Sequence, residues 1–168
     1  MPHPLSTLGA AHTALSLVPL AVGLREFVRF GGIDPARRAG RVYLGGLALS
    51  VFTSFGLSST GGFNPGHALG ILALGAAFGG ALAARRAPQA RVAPYLAAFG
   101  LSFSFFLLLV PGINETLTRL PPAHPLADGP ASPVVRSALL AWLAVFACGF
   151  VLQVRRLRRA DRPANPGI

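Results

Sequence analysis

Lysine is missing from this chain, and only five of its 168 residues are acidic. Charged residues make up 12% of the sequence, about half of the roughly 25% that a soluble domain carries. That shortage removes the water-facing surface of an ordinary soluble fold and points to lipid as the solvent. A single cysteine, Cys148, excludes any internal disulfide; it lies inside an apolar run and reads as a small packing residue. No phosphate loop, nucleophile elbow, zinc spacing or dinucleotide fingerprint occurs, so no recognised catalytic signature speaks for an enzyme.

Long apolar runs are what the sequence has. Hydrophobic residues reach 52%, and five stretches carry no charge: residues 5–24, 42–58, 67–84, 92–110 and 137–154. A bilayer core about 30 Å thick needs roughly 20 residues of helix at 1.5 Å each, and these runs are near that length. The expected fold is therefore all-α: a polytopic transmembrane bundle of five helices forming one membrane domain. The first run has its positive charge after it, at Arg25 and Arg29, rather than before it. A cleavable signal peptide has the opposite arrangement, so the run reads as a retained helix. Residues 111–136 read as an external loop and 155–168 as a cytoplasmic tail.

The fifteen arginines give a formal charge of +10 and decide the orientation. Thirteen fall after runs one and three, before runs two and four, and in the tail; only Arg119 and Arg136 lie on the other side. Cytoplasmic loops are rich in Lys and Arg, so the N-terminus is expected outside and the C-terminus inside a bacterial inner membrane. Tyr43 and Tyr95 follow the basic clusters, where aromatic rings anchor at headgroup depth. Nucleic-acid binding is not expected, because the charge comes in bursts between apolar runs rather than as a folded basic surface. The expected partners are the bilayer itself, anionic headgroups at the arginine-rich loops and tail, and a second copy or a membrane-complex subunit.

Small residues suggest how the helices pack, since helices in lipid associate through close backbone approach and interhelical hydrogen bonds. Gly66 with Gly70, and Gly75 with Gly79, share faces of the third helix; Gly46, Ser50 and Ser54 do so in the second, and Ala138, Ala141, Ala144 and Ala147 in the fifth. Pro19 has no N–H for the Leu15 carbonyl and should bend the first helix.

Ionisable groups near the apolar runs are the candidate site residues. His12 sits within the first run and His67 opens the third, both expected in the outer half. Two histidines on different helices suit structural hydrogen bonding, haem or metal ligation, or contact with a quinone. Counted from Arg25 and Arg85, their depths differ by about 7 Å, which weighs against a haem sandwiched between them. Glu26, between Arg25 and Arg29, reads as an interfacial ion pair. Glu115 reads as a loop acid paired with Arg119, or as a third member of the outer site.

The succession resembles the bacterial predicted membrane proteins catalogued as domain of unknown function 2306. The resemblance runs over residues 11–120. It rests on His12, the segment RRAGRVYL, the stretch TSFGLSSTGGFNPGHALGILAL, the ARR ending at Arg86, and Pro111-Gly112. The chain departs from the family pattern at Ala36 and Arg91, where the family has histidines, and at Ile113, where it has arginine. The family implies a membrane bundle and no established activity. The expected function is a non-enzymatic membrane component or small-molecule-binding bundle, with a redox protein holding haem or quinone through His12 and His67 as the alternative.

Overall fold

The computed structural model describes residues 7–57 and 62–160. Five α-helices and one 3₁₀ turn are found among them: α1 (Thr7–Phe30), α2 (Arg38–Ser54), η1 (Phe55–Leu57), α3 (Pro65–Arg86), α4 (Ala93–Arg119) and α5 (Pro133–Ala160). No strand occurs among the described residues. Four helices, α1, α3, α4 and α5, are long and apolar enough to cross a membrane. The chain is thus an all-helical protein of the multi-pass membrane class.

The helices run past the apolar runs because a helix does not stop at the first charge. α1 continues through Arg25, Glu26 and Arg29 and ends where Gly31 takes φ 76°. Its N–H bonds back to the Phe27 carbonyl at 2.9 Å, a left-handed cap that glycine adopts without strain. A side chain there would also collide with the Arg156 guanidinium. α3 opens on Asn64, whose side chain caps the His67 N–H at 3.1 Å.

α4 departs most from expectation. The loop expected from residue 111 begins only at Leu120, because Pro111 is carried inside the helix. A membrane helix tolerates such a proline. Beyond it the turn is held by Thr116 Oγ1 on the Gly112 carbonyl at 2.7 Å and by the Glu115–Arg119 ion pair. Leu120 is extended, as a residue before proline prefers, and the helix ends there. The remaining irregular segment, 120–132, is tied back by Ala127 N–H on the Leu117 carbonyl at 3.0 Å. α2 ends at Ser54, short of the expected 58; residue 58 itself, the start of the first run and the end of the tail lie outside the described residues.

Neighbouring helices are antiparallel. Along α1 and α2, His12 meets Thr53, Ser16 meets Ser50, Pro19 seats against Gly46 and Gly23 against Tyr43. A Cβ on Gly46 would stand 2.9 Å from Pro19 Cδ, so the glycine is the notch that receives the proline ring. α3 and α4 approach backbone to backbone at Gly80 and Gly100: a Cβ on Gly100 would strike the Ala76 carbonyl and stand 3.1 Å from Gly80 Cα. Buried Ala73, Ala77 and Ala81 extend this seam along α3.

Two sequence expectations about packing therefore change. Among the described residues, a methyl added at Gly75 or Gly79 would meet nothing within 4 Å, because the alanine face rather than the glycine face meets α4. In α5, Ala141, Ala144 and Ala147 are exposed. The face on α4 is aromatic instead, with Trp142, Phe146 and Phe150 against Phe99, Phe103 and Phe106. Trp142 Nε1 donates to the Phe106 carbonyl at 3.1 Å. Flat rings interdigitate over a wide area where the other seams rely on small residues.

Because successive helices alternate in direction, twelve described arginines collect at one end: Arg25 and Arg29 close α1, Arg37, Arg38 and Arg41 open α2, Arg85 and Arg86 close α3, Arg91 precedes α4, and the last four close α5. Among the described residues, only Arg119 and Arg136 stand at the other end.

Candidate functional site

Polar side chains turn inward from every one of the five helices. His12, half-buried on α1, contacts Thr53 Oγ1 through Nδ1 at 2.9 Å. Thr53 gives its own proton to the Leu49 carbonyl at 2.9 Å, so Nδ1–H is the donor of that contact. Nε2 then faces Ser16 Oγ at 3.5 Å, a weak contact that leaves this nitrogen largely unengaged. Ser16 Oγ donates to the His12 carbonyl at 2.8 Å and accepts from buried Ser50 at 2.6 Å. Two helices are thus clasped by one histidine and three hydroxyls.

His67 is held differently. Its ring is 4% exposed and lies between Phe55, stacked at 4.7 Å, and Phe63 at 5.6 Å. Nδ1 accepts the Asn64 N–H at 3.3 Å, closing a capping box, and Nε2 donates to the Ser54 carbonyl at 3.1 Å. Both ring nitrogens are engaged. His12 and His67 attach to consecutive residues of α2, Thr53 and Ser54, so the two rings sit at one level of the bundle. They are joined through α2 rather than turned onto a common cavity. Ligation by His67 requires giving up a bond to the α2 end or to its own cap.

Glu26 is more deeply buried than an interfacial ion pair implies. Its side chain is 1% exposed on the α1 face that also holds Pro19 and Gly23. Oε1 accepts from Arg25 Nη1 at 2.8 Å, while Oε2 has no hydrogen-bond partner among the described residues. Arg29 instead lies beside the Phe30 ring, 5.8 Å from its centroid. No charge pattern distinguishes Glu26 in the sequence; only its seven-residue spacing from Pro19 places it on the packed face. Two further buried pairs are not expected from the sequence. Tyr43, expected as a headgroup anchor, is instead fully buried with its hydroxyl 2.8 Å from Ser104, and Ser102 donates to Gln153 at 3.0 Å.

Glu115 pairs with Arg119 at the surface, the simpler of its two expected roles. No group of three His, Cys, Asp or Glu that could hold a metal occurs among the described residues. Comparison with known family patterns, with curated proteins and with solved structures finds no match.

Proposed function

We propose that the chain is a five-pass inner-membrane protein, N-terminus outside and C-terminus inside, acting as a non-enzymatic membrane component or small-molecule-binding bundle. The observation that carries this reading is the gathering of twelve described arginines at one end of an antiparallel bundle, against two at the other. Such asymmetry sets orientation in a membrane. α2 is the shortest crossing, about 25 Å at 1.5 Å per residue, and the 3₁₀ turn after it adds about 6 Å. Together they match the hydrocarbon thickness of roughly 30 Å. The arginine-rich end faces anionic headgroups, and the uncovered alanine face of α5 is available to lipid or a second copy. Kinship with the domain of unknown function 2306 proteins is part of the proposal. Fusions of a cytoplasm-active fluorescent reporter and a periplasm-active phosphatase to each terminus test it. The C-terminal fluorescent fusion and the N-terminal phosphatase fusion should be active; both ends in one compartment would overturn the five crossings.

A second reading, haem or quinone held by His12 and His67, has one favourable observation: the weakly engaged Nε2 of His12. An absorption spectrum of the detergent-purified protein, oxidised and reduced, tests the haem form. A Soret band lost in His12→Ala supports it, and a colourless protein removes haem.

A further inference from the structure

α5 is the longest of the described helices. Its 28 residues span about 42 Å at 1.5 Å each, against a hydrocarbon layer of roughly 30 Å. Arg136 and Arg155 stand nineteen residues apart, about 28 Å, and so bracket that layer. Arg155 therefore falls at headgroup depth, with Arg158 and Arg159 one turn farther out and also exposed.

Just inside Arg155, on the side of α5 turned away from its aromatic face, lies a shallow groove of about 350 Å³. Ala147 and Cys148 are too short to fill it, Val151 and Leu152 flank them about half exposed, and Arg155 closes the inner end. A helix surface this thinly clothed lets a straight apolar chain come close to the backbone and gain dispersion contacts along its length. The cation at the end of the groove is free to meet an anion. The ion pairs at this end of the bundle are Arg25 with Glu26 and Arg37 with Asp34; among the described residues Arg155 pairs with no acid. Its neighbour Arg156 turns the other way, its guanidinium against Gly31 at the close of α1. A guanidinium presents parallel donors that match the oxygens of a phosphate, and anionic lipids draw arginines to the inner surface.

We propose that the α5 groove is a site for one anionic phospholipid of the inner leaflet, its acyl chain along Ala147, Cys148, Val151 and Leu152 and its phosphate on Arg155. A second copy suits the same face less well. Inserted copies share one orientation, so a two-fold axis along the membrane normal brings Arg155 towards its own counterpart. Like charges so placed repel, whereas a phosphate carries the complementary sign.

The inference rests on the membrane-spanning reading and narrows its headgroup contacts to one place. The purified full chain, in mild detergent, is titrated with phosphatidylglycerol or with phosphatidylcholine of matched chains, and bound lipid is counted by native mass spectrometry. Wild-type protein should hold one phosphatidylglycerol at concentrations where phosphatidylcholine does not bind. Arg155→Gln should weaken that binding about fivefold, the effect of one cation at the surface. Ala147→Phe fills the groove without changing the charge and should also release the lipid. Both side chains are exposed, and helicity and elution check that each variant folds. Arg86→Gln, at the same end of the bundle on α3, should bind as wild type does. Equal retention of the two lipids, equal losses in Arg86→Gln and Arg155→Gln, or full binding in Ala147→Phe overturns the site. A lipid-free dimer, or displacement of the lipid by an equal concentration of glycerol phosphate, overturns it too. If one variant fails to fold, the other and the wild-type preference still decide. Correct insertion in the fusion assay with no bound phosphatidylglycerol sinks the site and leaves the topology standing.

Discussion

The Tyr43 hydroxyl donates to Ser104 Oγ across 2.8 Å, and neither side chain is exposed. Ser104 passes its own proton to the Leu101 carbonyl at 2.9 Å, which fixes the direction of the bond. It ties α2 to α4 at the centre of a core formed by Leu47, Leu101 and Phe105. Tyr43→Phe keeps the packing and removes the bond, so thermal unfolding in detergent should show a loss of about 0.5–1.5 kcal/mol. Tyr43→Ala removes the ring as well, and its cost should rise to about 3–5 kcal/mol.

At the α3–α4 seam the prediction is a contrast. Gly100→Ala places a methyl against the Ala76 carbonyl, a backbone atom that cannot rotate away. Overpacking of that kind costs about 1–3 kcal/mol. Gly75→Ala and Gly79→Ala meet nothing within 4 Å and remove helix-interior glycines, so they should be neutral or stabilising by up to about 1 kcal/mol. Chemical unfolding in mixed micelles, comparing the three variants, reads the difference.

Arg25 and Arg29 separate in the same way. Arg25→Ala strips Glu26 of its one hydrogen-bond partner among the described residues, leaving a buried carboxylate that costs about 1–3 kcal/mol. Arg29→Ala removes only a contact beside the Phe30 ring and should stay within about 0.5 kcal/mol of wild type. Thermal shift assays on both variants check the order. In the double variant Arg25→Ala with Glu26→Ala, the Arg25 penalty should largely vanish.

His67 closes the α2–α3 connection from both sides. His67→Ala opens the capping box and frees the Ser54 carbonyl, and Asn64→Ala removes the cap alone, at about 1 kcal/mol. Hydrogen exchange in nanodiscs should rise in the first turn of α3 for both, and at the end of α2 for His67→Ala only.

Much of the architecture is legible in the sequence. Lipid demands long uncharged helices and places arginines at their ends, and both leave plain marks there. The helix bounds are less legible. Gly31, not Arg25, ends α1, and α4 passes through Pro111, because capping and side-chain bonds rather than hydropathy set the last turns. The choice of face is hidden as well. Gly75 and Gly79 define one stripe of α3 and Ala73 and Ala77 another, and spacing alone does not say which meets a neighbour. Glu26 looks like a surface charge for a related reason: an acid beside two arginines reads alike whether its face is wet or packed. The histidines stand out by type, but their bonds to Thr53 and Ser54 depend on where α2 ends.

The number and direction of crossings is measured most directly by cysteine accessibility in intact cells. On a Cys148→Ser background, single cysteines are placed at Ala36, Ala90 and Ala123, and a membrane-impermeant maleimide is applied before and after permeabilisation. The account predicts labelling of position 123 in intact spheroplasts, and of positions 36 and 90 only once the membrane is opened. Labelling of 36 or 90 from outside, or protection of 123, would contradict it.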